Sequence, residues 1–520
     1  MRRIALILAA LLAAALAVAG CGGSSGGGSG DEPASLAPTK APVYLEVDLG
    51  AEGKQSEEFN ELTQTVLGIE NVGEFITEQL EQQALGSKEK LNFESEVEPW
   101  LGDKAGMYLN HYDGNAFDGY GVIFGTTDAG EAEEFIEKRV AASSEEAAEE
   151  GEFEGDKYWV EEDGETTLGV VGDYLVFGET KADFEEMVKT EEAGEGLADS
   201  EKFEQATEST AAEGLGSVYV DIGGLIDQAK GTINAETEAG LSLLGIEPRE
   251  ATAVATMVPH SEQVELDLST NVTRAAESGG DASAQLEALP ATAVLGFAEP
   301  EFGKAFGEGL HEFSEQGIPG QFEPGEFEAV FEQLGINFES LGKSLGAISG
   351  FVEGSTARSL GGAVIVETSD ATEAKDLVAK IGLVLRASSN VGVTAINGEL
   401  AGFSVRSPDL EQSVIVGAAG EKIVIAYGAK AAAQALRKQT KTLGTTADFE
   451  AAKAALGSSP INVFVDGGPA LKLVQTLIPF DKREAFDEAK PYLQKIAYAA
   501  LGSEAKDGVT SAKLIIGVQK

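Results

Sequence analysis

GYGVIFGTTDAGEAEEFIEKRV, residues 119–140, runs from a stretch of β-forming residues directly into a helical pattern. Asp128 stands where the helix would need its N-cap, and Glu131 three residues later has the spacing of a capping box. The apolar residues that follow recur at helical spacing: Ala132, Phe135, Ile136 and Val140. We therefore expect a buried strand that leads into a helix, with this apolar face in the core.

The same pattern occurs a second time, as LGGAVIVETSDATEAKDLVAKI at residues 360–381. Asp370 aligns with Asp128 at a spacing of 242 residues, and Glu373 takes the place of Glu131. Two further pairs of segments match in the same order: 169–189 with 417–438, and 217–224 with 462–469, which aligns Asp221 with Asp466.

Matches that keep their order at a nearly constant spacing indicate a tandem duplication. We expect a first repeat over residues 36–276 and a second over residues 285–520, separated by the polar, glycine-containing stretch 277–285. A repeat of roughly 240 residues is a duplicated domain, because the repeats of solenoid proteins are only about 20 to 50 residues long.

Each repeat is expected to be an α+β domain with packed helices and a largely antiparallel sheet. Residues 158–171, YWVEEDGETTLGVV, contain two short extended runs around Asp163-Gly164, which predicts a hairpin. GDYLVFG at 172–178 and GEKIVIAYG at 420–428 predict strands that follow a turn. Hairpins among the helices argue against a purely parallel, doubly wound sheet, which needs a crossover between its strands.

The N-terminus predicts a lipoprotein signal peptide over residues 1–20. Arg2 and Arg3 precede sixteen residues drawn almost wholly from Ala, Leu, Ile and Val, and small residues then lead to Cys21. Cys21 is the only cysteine of the chain, and it stands where lipoprotein processing needs a thiol. We predict that Cys21 carries a diacylglycerol thioether and an N-terminal acyl chain such as palmitate.

A plain secretory signal and an uncleaved membrane helix are the alternatives for this leader. Its apolar run is short of the ~20 residues that a helix needs to span a bilayer. A Gly/Ser-rich flexible tether follows at residues 21–35 and would hold the body roughly 25 Å from the lipid. We therefore expect an exported protein that is anchored to the outer side of the bacterial cell membrane.

The formal net charge is −51, from 37 Lys and Arg against 88 Asp and Glu. Phosphate backbones and anionic headgroups repel a body of this charge, so we exclude nucleic acid as a partner. The membrane is expected as a partner only through the N-terminal lipid. We interpret the acidity as an aid to solubility or a bias of the source, with divalent-cation or cationic-polymer binding as the alternative.

Histidine spacing does not predict a metal or cofactor site. His111, His260 and His311 are scattered without the spacing of zinc ligands. HEFSE at 311–315 begins like the H-E-x-x-H zinc motif but ends in Glu315. We therefore expect histidines in loops or on the surface, and no cofactor.

GKSLG at 342–346 has the form of the G-x-S-x-G nucleophile elbow, with Ser344 as the nucleophile. That elbow requires a strand before it and a helix after it, whereas a helical pattern precedes Ser344 here. The aligned stretch GDKAG at 102–106 has Lys104 in the place of the serine. We expect a tight glycine turn rather than a catalytic serine.

DGNAFDG at 113–119 resembles the start of a calcium-binding EF-hand loop. The candidate ligands are Asp113, Asn115 and Asp118. The spacing is one residue too long, and Phe124 stands where a bidentate glutamate is required. We expect a solvated turn, with a weak cation site as the alternative, and a mobile loop at the acidic run 145–156.

LAPTKAPVYLEVDL at 36–49 and VEPWLGDKAGMYL at 97–109 resemble the bacterial family catalogued as domain of unknown function 3352 (DUF3352). The stretch from Trp100 to Gly106 is the most specific part, and the second repeat has LGKSLGAIS in its place. The resemblance implies an exported or membrane-anchored protein of about this size and no catalytic residues. Trp100 is expected to pack a turn against the sheet.

These features favour a lipid-anchored protein of the cell envelope that is not an enzyme. We expect it to bind a protein or a small molecule in the groove between its two repeats, or to act as a scaffold. The alternative is an envelope hydrolase whose acid pair or Ser/Lys site cannot be seen in the sequence.

Overall fold

The computed structural model describes the chain from residue 32 onward, apart from internal gaps. The described residues are 32–50, 53–75, 91–113, 116–142, 149–160, 166–208, 214–229, 249, 251–271, 281–316, 325–333, 335–387, 392–407, 410–479, 482–506 and 509–519. The predicted signal peptide, Cys21 and most of the predicted tether lie outside them. The described residues fall into two compact units, 32–271 and 281–519.

The first unit begins inside the segment that the sequence predicts to be a tether. Pro33–Ser35 form a 3-10 turn. Ala34, Leu36 and Ala37 are buried in the core of this unit. The prediction of a flexible tether is therefore wrong for residues 33–35, because they form a turn whose apolar side chains pack into the core.

The first unit contains ten strands among its described residues. They are β1 Val43–Asp48, β2 Leu101–Tyr112, β3 Phe117–Thr126, β4 Glu149–Phe153, β5 Asp156–Val160, β6 Thr167–Val171, β7 Tyr174–Gly178, β8 Gly216–Asp221, β9 Thr252–His260 and β10 Gln263–Thr270. The helices described in this unit are α1 Lys54–Leu67, α2 Phe93–Glu96, α3 Ala129–Ala142, α4 Lys181–Ala193, α5 Glu201–Thr207 and α6 Ile222–Gln228. The strands form one antiparallel sheet in the order β10-β9-β8-β1-β2-β3-β7-β6-β5-β4.

The second unit also has ten strands among its described residues. They are β11 Ala293–Glu299, β12 Leu345–Glu353, β13 Gly361–Thr368, β14 Gly392–Ile396, β15 Ala401–Arg406, β16 Val414–Ala419, β17 Lys422–Tyr427, β18 Ile461–Asp466, β19 Ile496–Lys506 and β20 Val509–Val518. The helices described here are α7 Ser283–Glu287, α8 Phe302–Gln316, α9 Glu326–Gln333, α10 Phe338–Ser344, α11 Ala371–Ala387, α12 Ala429–Leu436, α13 Ala447–Leu456, α14 Gly467–Leu477 and α15 Arg483–Leu493.

The sheet of the second unit is antiparallel, in the order β20-β19-β18-β11-β12-β13-β17-β16-β15-β14. Adding ten to each strand number of the first sheet reproduces this order. The prediction of an α+β fold with a largely antiparallel sheet is confirmed.

The two aligned strand-to-helix segments fold as their sequences predict. β3 leads into α3 and β13 leads into α11. The Glu131 N–H donates to Asp128 Oδ1 at 3.0 Å, and the Glu373 N–H donates to Asp370 Oδ1 at 3.2 Å. Both aspartates therefore cap their helices from equivalent positions.

The central strands of the first sheet are buried on both faces. Ile123 of β3 lies in one core cluster with Phe184 of α4, whereas its neighbour Val122 lies in another with Ile136 of α3. Successive side chains of a strand point to opposite faces, so helices cover both sides of β3. This explains why its sequence is a continuous apolar run rather than an alternating one.

The hairpin strands that the sequence predicts near Asp163-Gly164 pair antiparallel, with Tyr158 of β5 opposite Gly169 of β6. The turn itself lies outside the described residues. The prediction of a mobile loop at 145–156 is wrong from residue 149 onward. Glu149–Phe153 form β4, which pairs with β5. Its glutamates are tolerated in a strand because β4 lies at the edge of the described sheet, where side chains remain hydrated.

Candidate functional site

A charged cluster lies on the neighbouring strands β1 and β2 of the first unit. We call Tyr44, Glu46, Asp48 and Lys104 the β1–β2 cluster. Residues two apart in a strand share a face, so the three β1 members point to the same side, and the register sets Asp48 opposite Lys104. Lys104 Nζ donates to Glu46 Oε1 at 2.9 Å, and the Tyr44 hydroxyl donates to Glu46 Oε2 at 2.9 Å.

The surroundings of the cluster shift the pKa values of its members. Burial raises the pKa of Asp48, and the neighbouring carboxylates Asp103 and Glu46 raise it further, against the opposing effects of the Gly50 N–H and of Lys104. Burial alone would lower the pKa of Lys104, but the Glu46 carboxylate outweighs this effect and the pKa is raised. Burial, and then Glu46, hold the pKa of the Tyr44 phenol well above its usual value.

These shifts limit what the cluster can do chemically. A catalytic lysine nucleophile needs a lowered pKa, whereas Lys104 is held in its ammonium form. The Lys104 side chain remains 39% exposed, so its charge is available to a ligand at the surface. The arrangement therefore suits electrostatic recognition of a ligand. Asp48 is the acid of the cluster that keeps its proton to a higher pH than an ordinary aspartate.

The second unit does not repeat this cluster. Tyr44 lies opposite Tyr219 of β8, and Gly296 of β11 lies opposite the aligned residue Phe464 of β18. Asp48 shares the face of Tyr44, whereas Glu299 points to the other face of its strand from Gly296. Burial raises the pKa of Glu299, but this acid is not the counterpart of Asp48.

The residues of the β1–β2 cluster lie within two motifs of the sequence, VYLEVD and LGDKAGMYL, but the sequence does not mark them as a site. The available signal is the spacing of Tyr44, Glu46 and Asp48 in VYLEVD, which places two acids on one face of an apolar strand. Their partner Lys104 is 58 residues away from Glu46 in the chain. Only the pairing of β1 with β2 brings them together.

Trp100, in the motif that carries the family resemblance, packs into the core before β2. It is 3% exposed, its ring centroid lies 5.4 Å from that of Phe135 in α3, and its Nε1–H donates to the Glu96 carbonyl at 2.7 Å. The Glu96 carboxylate binds both Lys138 and Arg139 of α3. The hydrogen bond from Lys138 lowers the pKa of Glu96. Trp100 therefore joins the turn after α2 to α3, a structural role.

The aligned aspartates Asp221 and Asp466 stand at the starts of α6 and α14. Asp221 Oδ1 accepts the Gly224 N–H at 2.9 Å and also pairs with Lys202. Burial raises the pKa of Asp466. Both stand at the N-cap position, and the side chain of Asp221 makes the capping hydrogen bond.

Ser344 lies at the end of α10 and is followed by strand β12. Its hydroxyl donates to the Leu341 carbonyl at 3.1 Å. This order of helix and then strand is the reverse of the one that a nucleophile elbow requires. The helix that the sequence predicts before Ser344 is confirmed.

The three histidines lie in regular elements at accessible positions rather than in loops. His111 lies in β2 and is exposed. His260 ends β9, where its Nε2 lies 3.2 Å from Glu265 Oε2 and its Nδ1 lies 3.8 Å from Glu58 Oε2. His311 lies in α8, with Nε2 3.6 Å from Glu315 Oε1.

Two of the predicted calcium ligands, Asp113 and Asp118, flank the turn between β2 and β3. Asp113 Oδ1 accepts the Ala116 N–H at 2.9 Å, which uses this carboxylate in the turn. Asp118 lies in β3 opposite His111. Asn115 lies outside the described residues. Within the part of the chain that the structure describes, no group of three or more His, Cys, Asp or Glu is placed to hold a metal ion.

None of the helices that the structure describes has both the length and the apolar character needed to cross a membrane.

The family model described as "Protein of unknown function (DUF3352)" matches residues 3–516. No curated protein matches the chain.

Two solved structures are similar to part of the chain. "Structure of crystal form III of TP0453" has 10% sequence identity and a TM-score of 0.25, covering 47% of this chain and 80% of that one. "Structure of crystal form I of TP0453" has 11% identity and a TM-score of 0.24, covering 47% and 79%. Scores of this size do not establish a common fold.

Proposed function

The chain belongs to the DUF3352 family of proteins of unknown function, and from this premise we propose that it is a lipid-anchored protein of the bacterial cell envelope. In this proposal its two α+β units bind a partner or act as a scaffold, without catalysis. The observation that carries the proposal is Cys21, the only cysteine of 520 residues, placed directly after the apolar leader.

The leader and the body support this role together. A diacylglycerol on Cys21 and a further acyl chain on its amine would give stable attachment, because one chain alone binds a bilayer only reversibly. The described body begins about a dozen residues beyond Cys21, after a Gly/Ser-rich stretch that would act as a flexible link. The body would then work at the outer surface of the membrane.

Mass spectrometry of the native protein, purified from bacterial membranes, tests the anchor. The expected product begins at Cys21 and carries the mass of a diacylglycerol and an acyl chain. Metabolic labelling with an alkyne fatty acid should mark the wild-type chain and the control Ser24→Ala, but not Cys21→Ser. An unmodified thiol on a chain that keeps residues 1–20 would refute the proposal.

We also propose that the two units arose by tandem duplication. The shared strand order supports this, because ten strands can be arranged in very many orders. The capping aspartates Asp128 and Asp370 support it at equivalent places. So do the left-handed turn glycines Gly172 and Gly420, with φ of 55° and 60°, just before β7 and β17.

The contacts of the candidate nucleophile Ser344 and of the Lys104 ammonium support binding over catalysis. The Ser344 hydroxyl is turned back onto its own helix, and Lys104 is held in an ion pair. The exposed part of Lys104 and the acids beside it offer a charged surface to a partner. Cross-linking in intact cells should give a product with the wild-type chain that Lys104→Glu weakens and Lys343→Glu, at an exposed pair in the second unit, leaves unchanged.

An envelope hydrolase is the second candidate, and the raised pKa of Asp48 favours it. A carboxyl that keeps its proton to higher pH can serve as a general acid. The purified chain should then hydrolyse ester, phosphate or glycoside substrates, with a loss of rate in Asp48→Asn and none in the exposed control Glu339→Gln. Hydrolysis with this pattern would replace the binding role.

A further inference from the structure

The outermost strands of the two sheets differ in the protection of their free edges. β4 and β14 hold the same outer position in the two strand orders, and each is five residues long. The sequence of β4 is EEGEF, with three glutamates, whereas β14 is GVTAI and carries no charge. Charged side chains are a common means of keeping an edge strand from pairing with another chain. The edge of the first sheet has this protection, and β14 lacks it.

Among the described residues, β14 pairs along one side only. Its partner is β15, in a register that runs without a shift from Gly392 opposite Arg406 to Ile396 opposite Gly402. A bulge would twist the edge away from a partner and a proline would remove a donor, but β14 has neither. Alternate residues of an antiparallel strand direct their N–H and C=O groups to opposite sides. Part of the backbone of β14 therefore offers a row of donors and acceptors to a further strand.

The side chains of β14 fix the strand on its unit and leave its edge accessible. Val393 packs with Ile381 of α11 on one face of the sheet. Ile396 packs against the core cluster on the other face. Thr394 and Ala395 are exposed. The edge is thus both well seated and open to solvent.

The chain around β14 also lacks the acidity of the first unit. Residues 371–440, which run from α11 through α12, contain 8 Lys and Arg against 6 Asp and Glu. The window aligned with it at a spacing of 242, residues 129–198, contains 5 against 23. Two copies of the chain can therefore approach each other through this part of the second unit without the repulsion that the first unit would cause.

We propose that β14 is a self-association edge, on which β14 of a second copy of this chain pairs antiparallel about a two-fold axis. The register that pairs all five residues places Thr394 opposite Thr394 of the second copy, and Val393 opposite its Ala395. Threonine pairs and contacts of β-branched side chains stabilise antiparallel sheets across strands. A two-fold contact of this kind closes as a dimer, because each copy uses the same edge.

Charge decides between the two outer strands that a second copy could offer. Pairing with β4 would set Glu149, Glu150 and Glu152 against an uncharged strand, and desolvated carboxylates without cations are costly. Two β14 strands bring no charges together. Five residues from each copy make a small contact, so we expect a weak and reversible dimer. The inference goes beyond the proposed function and does not depend on the N-terminal anchor.

Analytical ultracentrifugation of the full chain in detergent, over a range of concentrations, tests the proposal. All chains carry Cys21→Ser, so that no lipid on Cys21 contributes to association. The chain with native β14 should pass from monomer to dimer as its concentration rises. Thr394→Lys with Ala395→Lys sets like charges against each other across the axis, and should raise the dissociation constant about tenfold or more. Glu150→Lys, at the matched edge of the first sheet, should leave the dissociation constant unchanged.

A disulfide provides a second test that reports the register. Thr394→Cys in the Cys21→Ser chain supplies a single thiol in each copy. Residues directly opposite each other in an antiparallel pair have Cα atoms about 4.5 to 5.5 Å apart, a distance that a disulfide can span. Oxidised glutathione should therefore link two copies, and dithiothreitol should separate them. Glu150→Cys in the same background is the control and should remain monomeric.

Three results would overturn the proposal. The first is a chain that stays monomeric at every concentration and gives no disulfide through Cys introduced at 394. The second is a dimer that the two lysines do not weaken, since this would assign association to another contact. The third is a series of larger oligomers that grows with concentration, because a two-fold edge contact ends at the dimer. Circular dichroism of each variant shows whether the fold is retained. Loss of the lipid anchor would leave all of these outcomes unchanged.

Discussion

Lys104 and Glu46 lie on adjacent strands of the first sheet, and their side chains form a 2.9 Å ion pair that the Tyr44 hydroxyl completes from the buried side. Glu46 is thus held by two donors while Asp48, two residues further along β1, has only partial compensation for its burial. This contrast between two acids on one face of a strand leads to the first two predictions.

Replacing Lys104 by methionine should destabilise the first unit by about 1 kcal/mol. The change leaves Glu46 and Asp48 without their cation, but the pair is partly exposed and solvent screening limits its contribution. Urea unfolding of the full chain, followed by circular dichroism, measures the change. Lys343→Met is the control, because the Lys343–Glu339 pair is more than three-quarters exposed and its loss should have little effect. An equal loss in both variants would contradict this account of the cluster.

Asp48→Asn should stabilise the first unit at neutral pH. Because the folded-state pKa of Asp48 is raised, the folded state holds this proton more tightly than the unfolded state. The wild-type stability therefore falls as the pH rises from the ordinary aspartate pKa through the raised one. The variant lacks this fall, so the difference from wild type should grow with pH across that window. A difference between variant and wild type that stays constant across this window would contradict this account.

Trp100→Ala should cost about 3 to 5 kcal/mol, because it removes a large buried side chain that fills the space between α2 and α3. Trp100→Phe keeps most of the apolar contact and loses the hydrogen bond to Glu96, so it should cost about 1 to 2 kcal/mol. Trp159 lies in the same core cluster and remains as the fluorescent probe for urea unfolding. Similar costs for the two variants would show that the ring itself contributes little.

Asp370→Ala should lower the melting temperature of the second unit at neutral pH. Hydrogen bonds from the N-terminal backbone of α11, led by the Thr372 N–H, lower the pKa of Asp370. A carboxyl with a lowered folded-state pKa stabilises the protein above its ordinary pKa and loses this effect as the pH falls through the lowered value. The difference between variant and wild type should therefore shrink in acid. A melting-temperature difference that persists unchanged in acid would contradict this account.

Local patterns predicted the elements of this fold well. Asp128 and Asp370 mark the starts of their helices because an aspartate at an N-cap accepts hydrogen bonds from backbone N–H groups that have no acceptor within the helix. The β4 strand was not predicted, because a run of glutamates resembles a solvated loop unless its place at the edge of a sheet is known. Likewise, the end of the predicted tether is buried because Ala34 packs into the core of the first unit, and its own sequence does not show this contact.

The candidate site could be predicted only in part. The motif around Trp100 is visible as a pattern, but its role depends on Phe135 and the Glu96 carbonyl, which other segments supply. The β1–β2 cluster was missed because the spacing of Glu46 and Asp48 does not show which residue lies opposite them. The exposure of Val474 and Leu477 was not predicted either, because it depends on how α14 packs on its unit.

Residue order alone determines three features: the apolar leader before the lone Cys21, the repeated strand-to-helix pattern and the α+β class. Each of them depends on neighbours in the chain. The common strand order of the two sheets, the Lys104–Glu46 pair and the exposed apolar face of α14 arise from contacts between distant segments. Burial and electrostatic interaction depend on distance in space. These features therefore come into being only when the strands pair and the helices pack.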